Sequence, residues 1–351
     1  MNLTEYGLTD IISTKAQLFP TEQLARVTEQ HRDRYQVICE KGILPAQVSG
    51  KFQHNVVVTT DFPAVGDWVM ITQATHQDQA TINRVLPRTG ALMRGAAGSE
   101  GAGQIIAANL NTVFICMSLN ADFNLRRVER YLTIAWESGA TPVIVLTKAD
   151  LCSDLPQKQA ELAEVALGVE VVVCSAKQNE GYEQLLQYTK DNQTVAFVGS
   201  SGVGKSTLIN GLMGEAVFTT KTIRADDDKG RHTTTFRQLL KLPKGGIVID
   251  TPGMRELRIH TGDLTKTFED IEQLAAQCKF SDCQHQSEPG CAVQQAITAG
   301  TLTVARFESY QKLQRELMYS NLNSRELENE KIKRMFGSKN EMKQMMKHLK
   351  R

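Results

Sequence analysis

A complete phosphate-binding loop constrains the fold of this chain more than any other feature of its sequence. The loop matches the pattern G-x-x-x-x-G-K-[ST] and lies between the apolar run TVAFV and the helix-forming run TLINGLM, which begins at Thr207. A strand before the loop and a helix after it let successive backbone N–H groups and a helix N-terminus surround a phosphate. The loop residues are Gly199, Ser200, Ser201, Gly202, Val203, Gly204, Lys205 and Ser206.

Side chains in and after this loop predict a nucleoside triphosphate with Mg²⁺ as the ligand. Lys205 can reach the β and γ phosphates, and the hydroxyl of Ser206 can bind Mg²⁺. Asp250 ends the apolar run GGIVID, where a second contact to Mg²⁺ is expected. Gly253 can offer a backbone N–H to the γ phosphate. We therefore expect catalytic contributions from Lys205 and Asp250.

Two short motifs that precede the loop in the chain predict that the base is guanine. The sequence T-K-A-D resembles the guanine-reading motif N-K-x-D, with threonine at the usual asparagine position. Its carboxylate can accept hydrogen bonds from N1–H and the amine of guanine, whereas adenine would leave that charge unpaired. The sequence S-A-K ends the next apolar run and can present a backbone N–H to guanine O6. The two motifs comprise Thr147, Lys148, Ala149 and Asp150, and Ser175, Ala176 and Lys177.

Three regions that differ in their pattern of apolar and polar residues predict a multidomain α/β protein. Residues 1–98 contain short alternating runs (RYQVIC, PAQVSGKF, NVVVTT, DWVMIT, ATINRVL), which are typical of an OB-fold β-barrel. Residues 99–260 alternate apolar strands with helices, which favours a mostly parallel sheet with helices on both faces. Residues 261–351 are predicted to be helical. The Gly- and Ala-rich stretch RGAAGSEGAG, at 94–103, is predicted to be a linker.

A cluster of cysteine and histidine residues predicts a structural zinc site. Three of the seven cysteines lie close together, with one histidine among them, in a protein expected to be reduced. Three thiolates and one imidazole form a closed tetrahedral set suited to one Zn²⁺ per chain. The four ligands would be Cys278, Cys283, His285 and Cys291.

The guanine motifs come before the phosphate-binding loop, which is the reverse of the order in ordinary GTPases. This order, the barrel-like start, the cysteine–histidine cluster and the stretches LNADFNLRR (119–127) and GRHTTT (230–235) resemble the ribosome small-subunit-dependent GTPase A family, RsgA or YjeQ. The resemblance implies an N-terminal barrel, a circularly permuted G domain and a C-terminal zinc-binding domain with a basic helical tail. It also implies a factor that binds the small ribosomal subunit late in its maturation and hydrolyses GTP faster when bound there.

The polar segment between the loop and Asp250 is the expected first switch. One of the three threonines at 233–235 is expected to bind Mg²⁺, and Thr234 is the candidate that we name. Met254 follows Gly253, at the position where many GTPases have a glutamine that orients water, and a thioether cannot do this. His232 is therefore the candidate catalytic residue that positions or activates water.

Partners are predicted less directly than the nucleotide. The net charge is only +1, so any surface that binds nucleic acid must be a basic patch on part of the molecule. The basic tail from Lys331 is either such a surface or an amphipathic helix exposed to solvent. The barrel is a further candidate for contact with ribosomal RNA. We expect a cytoplasmic protein, because neither a signal peptide nor a membrane-spanning run is apparent. A monomer is the expected oligomeric state, although no sequence feature indicates it. The alternatives are a P-loop ATPase or kinase acting on a small molecule, and a non-catalytic RNA-binding module with a structural nucleotide.

Overall fold

The structure, a computed structural model, describes residues 1–31, 34–73, 78–95, 103–218, 237–251, 259 and 262–320. The N-terminal part is a small β-barrel, as predicted. Its strands lie in the order β1-β2-β3-β5-β4, and β1 also pairs with β4, which closes the barrel. Buried aliphatic side chains, among them Val27, Val37 and Ile71, fill its interior. The elements are α1 (Asp10–Gln17), β1 (Gln23–His31), β2 (Arg34–Cys39), β3 (Gly42–Val48), α2 (Gly50–Asn55), β4 (Trp68–Gln73) and β5 (Ala80–Val85).

One of the predicted barrel strands is wrong. The run NVVVTT (55–60) begins with the last residue of α2, continues as an irregular segment at 56–58, and ends in a short 3₁₀ turn at Thr59–Asp61. Val57 is 91% exposed. The run is rich in β-branched residues, but β3 already pairs with β2 on one side and β5 on the other. Strand propensity depends on an available partner, and the closed barrel offers none here.

The predicted linker is also wrong at its ends. Residues 94 and 95 belong to β6 (Ala91–Gly95), which pairs antiparallel with β7 (Gly103–Ala108). Gly95 lies opposite Gly103 in this pairing. The glycine- and alanine-rich stretch therefore joins two strands of one hairpin, and its central residues 96–102 lie outside the described part.

The second region is the predicted parallel sheet. Strands β10, β9, β8, β11 and β13 run parallel in that order, and β12 pairs antiparallel with β13. Alternate residues of β8 enter two cores, with Ile115 on the face covered by α3 and Phe114 on the face covered by α6. The elements are β8 (Thr112–Ser118), α3 (Leu125–Glu137), β9 (Thr141–Thr147), α4 (Leu155–Ala163), β10 (Glu170–Val173), α5 (Tyr182–Leu186), β11 (Thr194–Val198), α6 (Lys205–Met213), β12 (Arg237–Lys241) and β13 (Ile247–Asp250).

The barrel and the parallel sheet are joined through β1, a strand absent from the sequence prediction. Its residues 29 and 30 pair with residues 238 and 237 of β12, beyond the part of β1 that closes the barrel. Arg26 is buried within β1, and its guanidinium donates to the carbonyl of Gly66 (3.1 Å) and the hydroxyl of Thr194 (3.0 Å). This side chain therefore ties the barrel to the strand that precedes the phosphate-binding loop.

The described part of the C-terminal region, residues 262–320, contains helices, as predicted, and packs on the face of the sheet that α3 covers. Its helices are α7 (Glu269–Ala275), α8 (Ala292–Thr298) and α9 (Val304–Ser320). Phe268, Ile271 and Phe307 join the same apolar core as Tyr131 of α3. Further 3₁₀ segments are Leu3–Tyr6, Ala149–Leu151 and Gln187–Asn192. Among the helices described, none has the length and apolar character needed to cross a bilayer.

Candidate nucleotide site and metal centre

The phosphate-binding loop connects β11 to α6, as the sequence predicts. Gly199 and Gly204 have φ values of 152° and 107°, and a Cβ at Gly199 would lie 2.7 Å from the carbonyl oxygen of Cys116. Both the backbone conformation and this close approach require glycine. The loop therefore turns sharply between the end of a buried strand and the N-terminus of α6, which forms a cradle for an anion.

Lys205 lies at the base of this cradle. The side chain is buried, and its Nζ donates to the carbonyl oxygens of Gly199 and Ser200, each at 2.8 Å. Burial lowers the pKa of Lys205, and the neighbouring Asp250 carboxylate partly opposes this shift. Two neutral carbonyl oxygens therefore fix the Lys205 side chain beneath the loop.

The T-K-A-D motif lies directly against this loop. The hydroxyl of Thr147, at the end of β9, donates to the carbonyl of Val203 at 2.6 Å. Lys148 has a left-handed conformation (φ 58°), after which Ala149 and Asp150 begin a 3₁₀ turn. The Ala149 N–H donates to the carbonyl of Cys174 at 3.2 Å, which ties this turn to the end of β10.

The S-A-K motif lies against the turn that contains Asp150. Ser175 is buried, and its hydroxyl donates to the carboxylate of Asp150 at 2.8 Å. Ala176 and Lys177 follow as exposed residues in the loop after β10. The structure thus joins the two guanine motifs to each other by one hydrogen bond and to the phosphate-binding loop by another.

Of the residues predicted to bind Mg²⁺, the structure describes Ser206 and Asp250 but not Thr234. Asp250 is buried at the end of β13, next to β11, and Ser206 is half-buried in the first turn of α6. The hydroxyl of Thr251 donates to the carbonyl of Phe197, which holds this strand end against the strand that leads into the loop. The candidates His232, Thr234 and Gly253, like Met254, lie outside the described residues, as does the basic tail from Lys331.

Sequence reasoning assigned no role to Asp122, which also contacts the phosphate-binding loop. The Asp122 carboxylate accepts hydrogen bonds from the hydroxyl of Ser200 (2.6 Å) and the guanidinium of Arg127 (2.8 Å). Partial burial alone would raise the pKa of Asp122, but these two hydrogen bonds outweigh it and hold the pKa below its usual value. The stretch 119–127 contributed only to the family resemblance, because no spacing rule connects its residues with Ser200.

The four predicted zinc ligands converge. Their donor atoms all lie within 4.8 Å of one another, and the Nδ1 of His285 is 3.5 Å from the Sγ of Cys278 and 3.4 Å from the Sγ of Cys291. A tetrahedral ion with bonds of about 2.0–2.3 Å would separate its ligand atoms by roughly 3.5–3.8 Å. The arrangement of Cys278, Cys283, His285 and Cys291 therefore fits zinc.

Helix α3 connects the nucleotide site to the C-terminal region. The carboxylate of Glu129 is fully buried and accepts hydrogen bonds from Arg306 (2.9 Å) and Ser309 of α9. Glu316 of α9 accepts from Arg130 (2.7 Å) and from the backbone N–H of Ile259 (3.1 Å). Charged side chains thus hold the C-terminal region on the parallel sheet, and no sequence pattern predicts which of them pair.

Comparisons with known proteins agree with this architecture. A family model described as RsgA GTPase matches residues 85–260. The chain is 56% identical over 345 residues to a Lactiplantibacillus plantarum protein named small ribosomal subunit biogenesis GTPase RsgA 2, covering 98% of this chain and 97% of that protein. The crystal structure of YjeQ from Thermotoga maritima is 30% identical with a TM-score of 0.61, covering 85% of this chain and 99% of that one. YloQ, described as a circularly permuted GTPase, is 23% identical with a TM-score of 0.57 over 85% of this chain and 95% of that one, and shares the fold.

Proposed function

The chain belongs to the RsgA GTPase family, and on that basis we propose that it hydrolyses GTP in the biogenesis of the small ribosomal subunit. This is the role in the name of its L. plantarum relative. The observation that carries the nucleotide part of this proposal is the 2.6 Å hydrogen bond from Thr147 to Val203. It connects a base-reading motif to a phosphate-reading loop, so that one guanine nucleotide can contact both.

The Asp150 carboxylate argues against the ATPase or kinase alternative. An ATPase or kinase has no use for the Asp150 carboxylate, since adenine presents an acceptor where guanine presents N1–H. The Asp150–Ser175 hydrogen bond keeps that carboxylate oriented beside the S-A-K motif. The non-catalytic alternative is opposed by the family membership instead, because the matching family model is described as RsgA GTPase.

Each residue of the site has a proposed role. Lys205 binds the β and γ phosphates, Ser206 and Asp250 bind Mg²⁺, and Asp150 selects guanine. The Mg²⁺ ion supplies charge neutralisation on the phosphates when it is bound. The remaining nucleotide contacts are assigned from the sequence motifs: Thr147, Lys148, Ala149, Ser175, Ala176, Lys177, the loop 199–204, Thr207 and Gly253, with Thr234 as a further Mg²⁺ ligand and His232 as the residue that positions water.

The C-terminal cluster is proposed to bind one structural Zn²⁺. All four positions of a tetrahedral ion would be taken by protein atoms, which leaves no site for a substrate. The apolar residues of this region already contribute to the core beside α3. Zinc would add the folding energy that the loop 278–291 needs to hold its own shape.

Partners and organisation complete the proposal. The small ribosomal subunit and its rRNA are the proposed partners, with the barrel and the basic tail as contact surfaces, and the protein would act in the cytoplasm as a monomer. The proposed domains are 1–98, 99–260 and 261–351. Their support is the change in architecture along the chain, from barrel to parallel sheet to helices.

GTP turnover with and without purified small ribosomal subunits tests the function. We expect slow hydrolysis by the protein alone, clear acceleration by subunits, and no comparable turnover of ATP. The matched control is the Lys205→Ala variant, which should remain slow in both conditions because it lacks the ammonium that binds the phosphates. GTP hydrolysis that subunits do not accelerate, or faster hydrolysis of ATP than of GTP, would contradict the proposal.

A further inference from the structure

Asp122 lies between β8 and α3, contacts the phosphate-binding loop and belongs to none of the motifs assigned to the nucleotide. Its carboxylate accepts from Ser200 and Arg127, and the Arg127 guanidinium also lies 3.3 Å from the hydroxyl of Ser200. The three side chains therefore close a triangle of hydrogen bonds. One corner of that triangle is the second residue of the loop.

The segment that carries Asp122 is itself fixed by hydrogen bonds. The side-chain oxygen of Asn120 accepts from the backbone N–H of Asp122 (3.1 Å) and from the hydroxyl of Ser118 (2.8 Å). The backbone N–H of Leu119 donates to the carbonyl of Thr147 at 2.9 Å. Asp122 is thus held in register with the end of β8 and with the strand that carries the guanine motif.

This contact reaches the phosphate-binding lysine through Ser200. The carbonyl of Ser200 is one of the two acceptors of the Lys205 ammonium, and its hydroxyl is the group that Asp122 holds. A residue fixed at its side chain has fewer backbone orientations available, so its carbonyl keeps a constant direction. Fixing Ser200 therefore fixes the position of the Lys205 ammonium.

We propose that Asp122 is a positioning residue, which acts through Ser200 to align Lys205 with the β phosphate of GTP and GDP. The inference rests on the proposed function, because it assumes a guanine nucleotide in this cradle. It predicts an effect that depends on the number of phosphates, since GMP lacks the phosphates that Lys205 reaches.

Competition binding on the full chain with GTP, GDP and GMP tests this. Asp122→Ala should lower the affinity for GTP and for GDP roughly ten-fold each, and the affinity for GMP by less than about two-fold. The preference for GTP over ATP and the melting temperature without nucleotide should not change. Ser200→Ala should give the same pattern, and the double variant should be no weaker than either single one, because both remove one interaction. The control is Asp78→Ala, an exposed residue of the barrel, which should bind as the unsubstituted protein does.

Several results would overturn the proposal. These are unchanged GTP affinity in Asp122→Ala, an equal loss for all three nucleotides, or additive losses in the double variant. If Asp122→Ala fails to fold, Asp122→Asn replaces it, with an expected three-fold loss for GTP and GDP, because the amide still accepts from Ser200 but no longer attracts Arg127. An unsubstituted chain that binds neither GTP nor GDP would overturn the proposed function itself, and the two failures are thus distinguishable.

Discussion

The hydroxyl of Thr147 donates a hydrogen bond of 2.6 Å to the carbonyl of Val203, in the middle of the phosphate-binding loop. The two residues are 56 positions apart, and Thr147, which belongs to the proposed base-reading motif, comes first in the chain. Both strand ends lie on the same edge of a parallel sheet, where ligands of such sheets bind. The permuted order of the motifs is therefore compatible with a single nucleotide site.

Thr147→Val should weaken guanine nucleotide binding. The substitution keeps the shape of the side chain but leaves the buried Val203 carbonyl without this donor, which costs about 1–3 kcal/mol. Calorimetric titration with GDP measures the loss. Thr141→Val is the matched control, because Thr141 is exposed at the start of the same strand. Equal affinities for the two variants would show that the Thr147 bond does not support the site.

Asp150→Asn should change which base is bound. The amide would lose the acceptor for N1–H and the amine of guanine, and its NH₂ would suit the C2 carbonyl of xanthine instead. We expect GTP affinity to fall at least about 100-fold and XTP affinity to rise. Fluorescent nucleotide competition checks both. Asp154→Asn, in an exposed position a few residues on, is the control. Unaltered preference for GTP would remove Asp150 from base recognition.

His232→Ala should separate binding from stimulated hydrolysis. The imidazole is assigned to positioning water, so its loss should leave GTP affinity unchanged while subunit-stimulated turnover falls by roughly 10²–10⁴-fold. Single-turnover hydrolysis on purified small subunits measures this. Normal stimulated turnover in the variant would exclude His232 from the mechanism.

Removing a cluster cysteine should remove zinc. Cys283→Ala should lose the bound metal and lower the melting temperature of the C-terminal region, because three ligands hold Zn²⁺ far more weakly than four. Metal analysis and thermal unfolding provide the readouts, and GTP binding should persist. Cys152→Ala, a half-buried cysteine outside the cluster, should retain the metal. A metal-free protein with an unchanged melting curve would contradict the zinc assignment.

Arg306→Met should destabilise the protein markedly. The guanidinium pairs with Glu129 and Asp270 in a buried setting, and its removal leaves the Glu129 carboxylate in the core with fewer donors. The expected cost is about 3 kcal/mol in the free energy of unfolding. Urea unfolding measures it, with Arg315→Met, an exposed arginine of the same helix, as the control. Similar stabilities for the two variants would show that the buried network is not stabilising.

Sequence patterns predicted the parallel sheet well, for a physical reason. Strands such as β8 and β11 are buried on both faces, so they are continuous apolar runs, and the polar motif residues directly follow them. The cysteine–histidine cluster was equally clear, because its ligand types and spacing are specific.

Other elements could not be predicted, because tertiary contacts decide them. Strand β1 contains Arg26, which breaks the apolar pattern yet is satisfied by acceptors from the barrel and from Thr194, far away in the chain. The run NVVVTT has the composition of a strand, but none of the described strands pairs with it. Asp122 was missed at the site, because only the folded chain brings it to Ser200.

The most direct test is an experimental structure of the full chain with Mg²⁺ and a non-hydrolysable GTP analogue. The account predicts one ligand whose guanine hydrogen-bonds to the Asp150 carboxylate while its β and γ phosphates contact the Lys205 ammonium. A nucleotide whose base lies away from Asp150 while its phosphates occupy the loop 199–206 would contradict it.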